Sequence, residues 1–178
     1  MSSCDYNLVI EVIMASREDL FTILETTQED YMRLLESIPE SDYAGPSGNE
    51  AWTVGDLLFH ITLGPRAVAL EVWMILHARG LFQLAMNLFP SRAFNRVNAW
   101  FGRRDARRLT RSGLASRYEK GHAALRSVLR RAREQDLARS VVYPQKFVAE
   151  LAGEVTVERL VRYAQDHVKV HAGQIRAG

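Results

Sequence analysis

Cysteine is nearly absent from this 178-residue sequence, which contains a single one, Cys4. One cysteine excludes an internal disulfide framework and a metal site built from several thiolates. Such sparse use of cysteine is typical of a reducing compartment, so we expect a cytoplasmic location. A strong excess of charge is also missing, because 23 Lys and Arg residues are balanced by 21 Asp and Glu residues. No overall field therefore directs the chain toward nucleic acid or acidic lipid.

Uninterrupted hydrophobic runs long enough to span a membrane are missing as well. The stretch Leu8–Met14 is apolar, but it is short and is broken by Glu11. It also lacks the basic start and the small-residue cleavage site of a signal peptide. The next most apolar region, Val68–Phe89, is interrupted by charged and polar residues, namely Glu71, His77 and Arg79. We expect no association with a membrane.

Repeats, low-complexity tracts and long alternating runs are absent, and helical periodicity dominates the sequence. Apolar residues recur at three- and four-residue spacing after Ser16, and the same pattern follows Thr53 and Thr156. Another helical stretch runs from about Ser112 to Arg133. Four long helices predict an all-α protein, a four-helix bundle. We assign residues 1–15 to an N-terminal tail and residues 16–178 to one domain.

The sequence also indicates where two of these helices begin. Ser16 is followed by Asp19, and Thr53 is followed by Asp56, each pair with the spacing of a capping box. Gly64-Pro65 is expected to kink the second helix rather than end it, and the helix continues to Gly80. Residues 81–104 contain Pro90 and many aromatic residues, and we expect short helices or a structured loop there.

Three histidines form the most informative pattern. His167 and His171 are four residues apart, so they project from one face of the last helix. They share the apolar stripe of Leu160 and Ala164, which should face the bundle interior. The opposite flank, with Arg159, Arg162, Asp166 and Lys169, is predicted to face solvent. His60 lies on the inward face of the second helix, so three imidazoles can meet at one divalent metal and leave a fourth position open.

Two segments resemble a known family. Residues 52–61 read Trp-Thr-Val-Gly-Asp-Leu-Leu-Phe-His-Ile, which is similar to the Trp-Ser/Thr-Val-x-Asp-Leu-Leu-x-His-Leu signature of the DinB/YfiT-like superfamily. Residues 167–175 resemble its closing His-x-x-x-His-x-x-Gln-Ile motif. The stretch Phe94–Trp100 is similar to the branch that includes mycothiol-dependent maleylpyruvate isomerase. The chain departs from the usual pattern at Gly64-Pro65 and in its arginine-rich middle.

The resemblance implies an up-down-down-up four-helix bundle with extra short helices in the middle connection. It also implies a metal site of His60, His167 and His171, commonly occupied by zinc or nickel, and frequent homodimers. Some relatives transfer or isomerise small molecules with a low-molecular-weight thiol such as mycothiol or bacillithiol.

Three further residues are candidates for the chemistry. Asp56 can orient a ligand imidazole or serve as a base, but a role in capping its helix is the favoured interpretation. Gln174 can bind a metal-bound water or substrate, or it can simply pack. Tyr163, one turn before His167, is a candidate phenol donor. We interpret His77 and His122 as residues of the helix surface or the edge of the core.

Arginines are concentrated in the middle of the chain and can bind phosphates. The residues are Arg103, Arg104, Arg107, Arg108, Arg111, Arg126, Arg130, Arg131 and Arg133. Because no aromatics are interleaved with them and acidic residues lie nearby, we interpret them as solvated helix faces and disfavour a nucleic-acid partner. Alternatively, one or two of them reach the pocket and hold a substrate carboxylate.

Two functional hypotheses follow. The first is a metal-dependent enzyme acting on a small molecule, as a thiol S-transferase or isomerase. Peptidase-like hydrolysis is disfavoured because the motif reads His-Val-Lys-Val-His and lacks the glutamate of His-Glu-x-x-His. The second hypothesis is a non-catalytic module in which the histidines hold a stabilising metal. A sealed site would favour the module, and an open one would favour the enzyme.

Overall fold

Four long helices make up most of the part of the chain that the computed structural model describes, which is residues 15–88, 109–145 and 148–176. A shorter helix and a small antiparallel sheet complete it. The helices are α1 (Arg17–Ser37), α2 (Val54–His77), α3 (Arg79–Leu88), α4 (Arg111–Arg131) and α5 (Val157–Arg176). The strands are β1 (Ser140–Tyr143) and β2 (Gly153–Thr156).

Both predicted capping boxes are present. The Ser16 hydroxyl accepts from the Asp19 backbone N–H at 3.1 Å, and Asp19 Oδ2 accepts from the Ser16 N–H at 2.9 Å. Thr53 and Asp56 form the same reciprocal pair at the start of α2. Each pair satisfies N–H groups that a helix start leaves without a partner. Thr156 caps the start of α5, because its hydroxyl accepts from the Arg159 N–H at 3.2 Å.

The contacts between helices give the up-down-down-up path directly. Helix α4 runs antiparallel to α1, since Tyr118 stacks on Tyr31 at 4.1 Å between ring centroids while Arg126 pairs with Glu25. Helix α2 runs parallel to α4, and α5 runs antiparallel to α2. Two adjacent parallel helices require a long connection between them, and α3 lies in that connection. The predicted four-helix bundle topology is confirmed.

Helices α2 and α4 approach closely at a glycine. A Cβ atom at Gly121 would lie 3.3 Å from the Arg66 backbone nitrogen and 3.5 Å from Pro65 Cβ. Helix α2 passes through Gly64 and Pro65 without ending, as predicted. The break comes at Ala78, and α3 follows immediately.

Two groups of buried apolar residues fill the bundle. One lies among α1, α2, α4, α5 and the sheet, and it includes Leu24, Val72 and Leu160. The other surrounds the stacked tyrosines and the first turns of α2, where Leu57, Leu58 and Phe59 are fully buried. His60 follows this run directly, so the second group provides the apolar support for its ring.

The sheet was not predicted. Its strands have four residues each, and Val141 pairs with Val155 in antiparallel register. A run of four residues is too short for alternation to show clearly in a sequence. The hairpin leads directly into α5 and fixes where that helix starts.

Helix α2 is also long and apolar enough to cross a membrane by length and composition, with 24 residues and a mean hydropathy of 1.2 in its most apolar window. Half of that window is buried inside the bundle. The core helix of a bundle has these same properties, so this observation is weak support for a membrane span.

Candidate metal centre

The rings of His60, His167 and His171 meet between α2 and α5. The Nε2 atoms of His60 and His167 are 3.0 Å apart. The centroid of the His171 ring lies 4.8 Å from that of His60 and 4.5 Å from that of His167. One nitrogen from each ring can be chosen so that all three lie within 4.8 Å of one another. The structure thus brings together the three histidines that the sequence singled out.

The antiparallel packing of α2 and α5 explains this convergence. His60 faces α5 from the second turn of α2, and Gly64 lies one turn further along the same face. A Cβ atom at Gly64 would lie 3.3 Å from His167 Nδ1, so the missing side chain makes room for the ring. Gly64, which belongs to the Gly64-Pro65 departure from the family pattern, therefore provides the space that the His167 ring occupies.

The three imidazoles are held in the neutral form. Burial, assisted by His171, lowers the pKa of His60 to about 4. Burial and the two neighbouring histidines lower the pKa of His167 to about 3. Burial also lowers the pKa of His171, although its hydrogen bond to Gln174 acts in the opposite direction. Each ring therefore keeps a lone pair for a metal at neutral pH.

This donor set fits a divalent metal. Neutral imidazole nitrogens are common ligands of zinc, nickel, copper and iron. No other His, Cys, Asp or Glu in the described ranges joins the cluster. Three protein ligands with a fourth position left for water or substrate are the arrangement of catalytic rather than structural zinc sites.

Gln174 supports the cluster from one turn away. Its Oε1 atom lies 2.8 Å from His171 Nδ1, so this nitrogen carries the proton and donates to the amide oxygen. That assignment leaves Nε2 of His171 as the atom available to a metal. The amide therefore orients the His171 ring, while a contact between Gln174 and a bound water or substrate stays a prediction.

A cavity of about 460 Å³ borders the cluster on the outer side of α5. It is lined by Glu150, Leu151, Arg159, Arg162, Tyr163, Asp166, His167, Val170 and His171. On the other side Trp52 packs edge-on against His60, with ring centroids 4.6 Å apart. The cluster thus lies between the half-buried Trp52 ring and the cavity, through which His167 and His171 can be reached.

A family model described as the DinB superfamily matches residues 23–175, which is most of the chain. This protein belongs to the DinB superfamily. The family resemblance seen in the sequence is thereby confirmed. A comparison with curated proteins finds no match.

Solved structures show the same fold. Mycothiol-dependent maleylpyruvate isomerase superposes with a TM-score of 0.67 at 17% identity, covering 92% of this DinB-superfamily chain and 62% of the isomerase. A mutant form of the same isomerase gives a TM-score of 0.68 at 16% identity, with the same shares of both chains. YfiT from Bacillus subtilis, described as a probable metal-dependent hydrolase with an unusual four-helix bundle topology, gives 0.65 at 16% identity. That match covers 90% of this chain and 83% of YfiT.

The other candidate residues lie at different distances from the metal centre. Asp56 Oδ2 accepts from the Thr53 N–H and hydroxyl, at 3.0 and 2.8 Å, so it is engaged in the helix cap. Tyr163 lines the cavity, and its ring centroid lies 6.0 Å from that of His167. Burial, followed by the charges of Glu150 and Glu71, raises the pKa of Tyr163.

His122 differs from its prediction as a surface or core-edge residue. It is 1% exposed, and its Nε2 lies 2.8 Å from the Leu24 carbonyl oxygen. The ring therefore has a hydrogen-bond partner on α1, and this bond offsets the cost of burying a polar side chain. His77, in contrast, is exposed beside Trp73.

Part of the arginine-rich middle can be placed. Arg111 donates to the Ile38 carbonyl oxygen, and Arg126 pairs with Glu25, so these two are bound to α1 and its end. Arg130, Arg131 and Arg133 are exposed. The interpretations made for Cys4, Phe94–Trp100, Arg103, Arg104, Arg107 and Arg108 lie outside the described residues.

The charged flank of α5 faces solvent as predicted, because Arg162, Asp166 and Lys169 are exposed and Arg159 is half-buried. Arg159, Arg162 and Asp166 also line the cavity together with His167, which was not predicted. Residues 159, 163, 166 and 170 recur at three- and four-residue spacing, so the sequence places them on one face of the helix. Because charged faces usually contact only solvent, the sequence did not indicate a cavity there.

Replacing Gln174 with leucine is expected to weaken metal binding by about 10- to 100-fold, because the acceptor that orients His171 is lost. Gln174→Glu retains an acceptor oxygen and should bind the metal at least as well as the native chain. Competition with a chromophoric chelator measures both affinities. Equal weakening in the two variants would contradict an orienting role.

Gly64→Ala is expected to lower metal affinity. The new methyl group would lie 3.3 Å from His167 Nδ1, so the His167 ring has to shift out of its position in the cluster. The matched control is Gly173→Ala in α5, where an added Cβ meets nothing within 4 Å. Thermal unfolding and metal titration of both variants test this, and an unchanged affinity in Gly64→Ala would contradict it.

Proposed function

We propose that this protein is a metal-dependent enzyme that activates a low-molecular-weight thiol for S-transfer or isomerisation. The observation that supports it best is the cavity, which reaches His167 and His171 and offers space for a small molecule. A non-catalytic site that only stabilises the bundle has no need of such access. We propose zinc or nickel as the metal, since three imidazoles suit both.

When bound, a divalent ion at this site acts as a Lewis acid and brings the pKa of a bound thiol or water toward neutrality. His60, His167 and His171 would hold the ion, while Gln174 orients the His171 ring. The Trp52 ring and the buried run Leu57–Phe59 provide apolar surroundings for the His60 side of the centre. Tyr163 also lines the cavity, and burial raises its pKa, so its hydroxyl keeps its proton at neutral pH and is a candidate hydrogen-bond donor.

The surroundings favour thiol chemistry over hydrolysis. Hydrolysis by this type of site needs a carboxylate base beside the bound water. Asp56, the candidate identified in the sequence, is engaged with Thr53, and Glu50 is exposed. The two carboxylates of the cavity, Glu150 and Asp166, are also exposed. A thiol needs no such base once its proton is lost to solvent, so three neutral imidazoles are sufficient for it.

Elemental analysis of protein purified without a nickel column is the first test, and about one metal ion per chain is expected. The loaded protein is then assayed for metal-dependent consumption of mycothiol, bacillithiol or simpler thiols in the presence of electrophilic acceptors. Tight metal binding without thiol consumption would overturn the enzyme assignment and support the stabilising module instead.

A further inference from the structure

Arg159 occupies an unusual position in the cavity beside the metal centre. Its Nη1 donates to the Glu154 carbonyl oxygen at 2.7 Å, and its Nη2 donates to the Glu150 carbonyl oxygen at 2.8 Å. These backbone acceptors fix the guanidinium but carry no net charge. Three of its five N–H donors therefore remain for a ligand.

The charge of Arg159 is not neutralised by an ion pair among the residues that the structure describes. Arg162, the other arginine of the cavity, differs in this respect, because its Nε lies 2.8 Å from Glu158 Oε1. The two arginines are three residues apart on one helix, so the difference arises from their partners. Arg159 is the stronger anion-binding group of the cavity.

We propose that Arg159 binds the carboxylate of a small-molecule ligand whose thiol end reaches His167 and His171. This inference rests on the proposed thiol chemistry and names the class of ligand: a thiol that also carries a carboxylate. A planar guanidinium is well suited to a carboxylate, because it can donate two parallel hydrogen bonds.

The spacing of Arg159 and His167 along α5 indicates the size of the ligand. Arg159 precedes His167 by eight residues, so their backbone positions are about 12 Å apart along the helix axis at 1.5 Å per residue. Tyr163 lies between them on the same face and offers a polar contact midway. A ligand that uses both ends must therefore be extended.

Two acidic residues of the cavity limit where the anion can bind. Asp166 lies next to His167, seven residues from Arg159, so it disfavours a carboxylate near the metal centre. The carboxylate of Glu150 acts on Tyr163, whose pKa it helps to raise. Removing the charge of Asp166 should therefore strengthen binding of an anionic ligand, the opposite of removing Arg159.

The test uses the Co²⁺-loaded full chain and a series of ω-mercaptocarboxylates of increasing length, each with its neutral carboxamide counterpart. The thiolate-to-cobalt absorption band reports thiol binding. The native chain should bind the longer carboxylates about ten-fold or more tightly than the carboxamides. Arg159→Gln should abolish this preference, Arg159→Lys should restore part of it, and Asp166→Asn should increase it.

Controls separate recognition from folding, because Arg159 also holds the segment of Glu150 and Glu154. Carboxamide affinity and cobalt content should be unchanged in Arg159→Gln, and Arg162→Gln should keep the preference. Thiol binding with no carboxylate preference, or a preference that survives Arg159→Gln, would overturn this inference alone. Absence of the absorption band with every thiol would overturn the proposed function as well.

Discussion

Replacing His167 with alanine is expected to lower the affinity for Zn²⁺ or Ni²⁺ by more than about 100-fold, which exceeds the usual effect of losing a supporting residue. The Nε2 of His167 is 3.0 Å from that of His60, so its ring is central to the cluster. Two imidazoles then remain, and no other His, Cys, Asp or Glu of the described residues is grouped with them. Equilibrium dialysis followed by elemental analysis measures the loss.

The same variant should lose the stabilisation that metal gives the native chain. At a metal concentration 100 times the dissociation constant, binding adds about 2.7 kcal/mol to the free energy of unfolding. For a chain of this size that is a rise of about 5 to 10 °C in Tm. His77→Ala, which changes an exposed histidine of the same helix as His60, is the control and should retain both properties. An unchanged zinc affinity in His167→Ala would show that the metal binds elsewhere.

Tyr118→Ala is expected to lower the free energy of unfolding by about 3 to 5 kcal/mol, as removal of a large buried aromatic ring does. Tyr118 is 0% exposed and stacks on Tyr31, whose hydroxyl donates to the Leu58 carbonyl oxygen. The cavity left behind would lie in the core that supports the first turns of α2. Chemical denaturation measures the change.

Tyr118→Phe is the matched control for this prediction. It retains the ring and loses only a hydroxyl whose bond to the Thr27 carbonyl oxygen is long, at 3.5 Å. The expected cost is about 1 kcal/mol or less. Equal destabilisation by the two changes would show that the hydroxyl, and not the stacked ring, stabilises the bundle.

Much of the fold and of the histidine cluster could be predicted because local patterns carry them. A capping box requires only two residues three apart, and both boxes were identified correctly. Three- and four-residue periodicity placed His167 and His171 on the buried side of α5. The convergence of His167 and His171 with His60 depends on contacts between distant parts of the chain. It could be predicted only from the two family motifs, in residues 52–61 and 167–175.

The features that were missed depend on tertiary contacts. The charged face of α5 becomes a cavity wall only because residues 149–151 and the hairpin pack beside it. The role of Gln174 depends on which atom of His171 it meets, and sequence spacing does not specify an atom. The burial of His122 is possible because one carbonyl of α1 lies within reach.

The contact between His60 and His167 joins residues that are 107 positions apart. An ion held there would cross-link α2 and α5 and so close a loop that spans these 107 positions. The entropic cost of closing a loop grows only slowly with loop length, so a cross-link over this distance costs little more than one over a short loop. A ribosome releases residue 60 long before residue 167, so the complete centre can assemble only after residue 171 has left the ribosome.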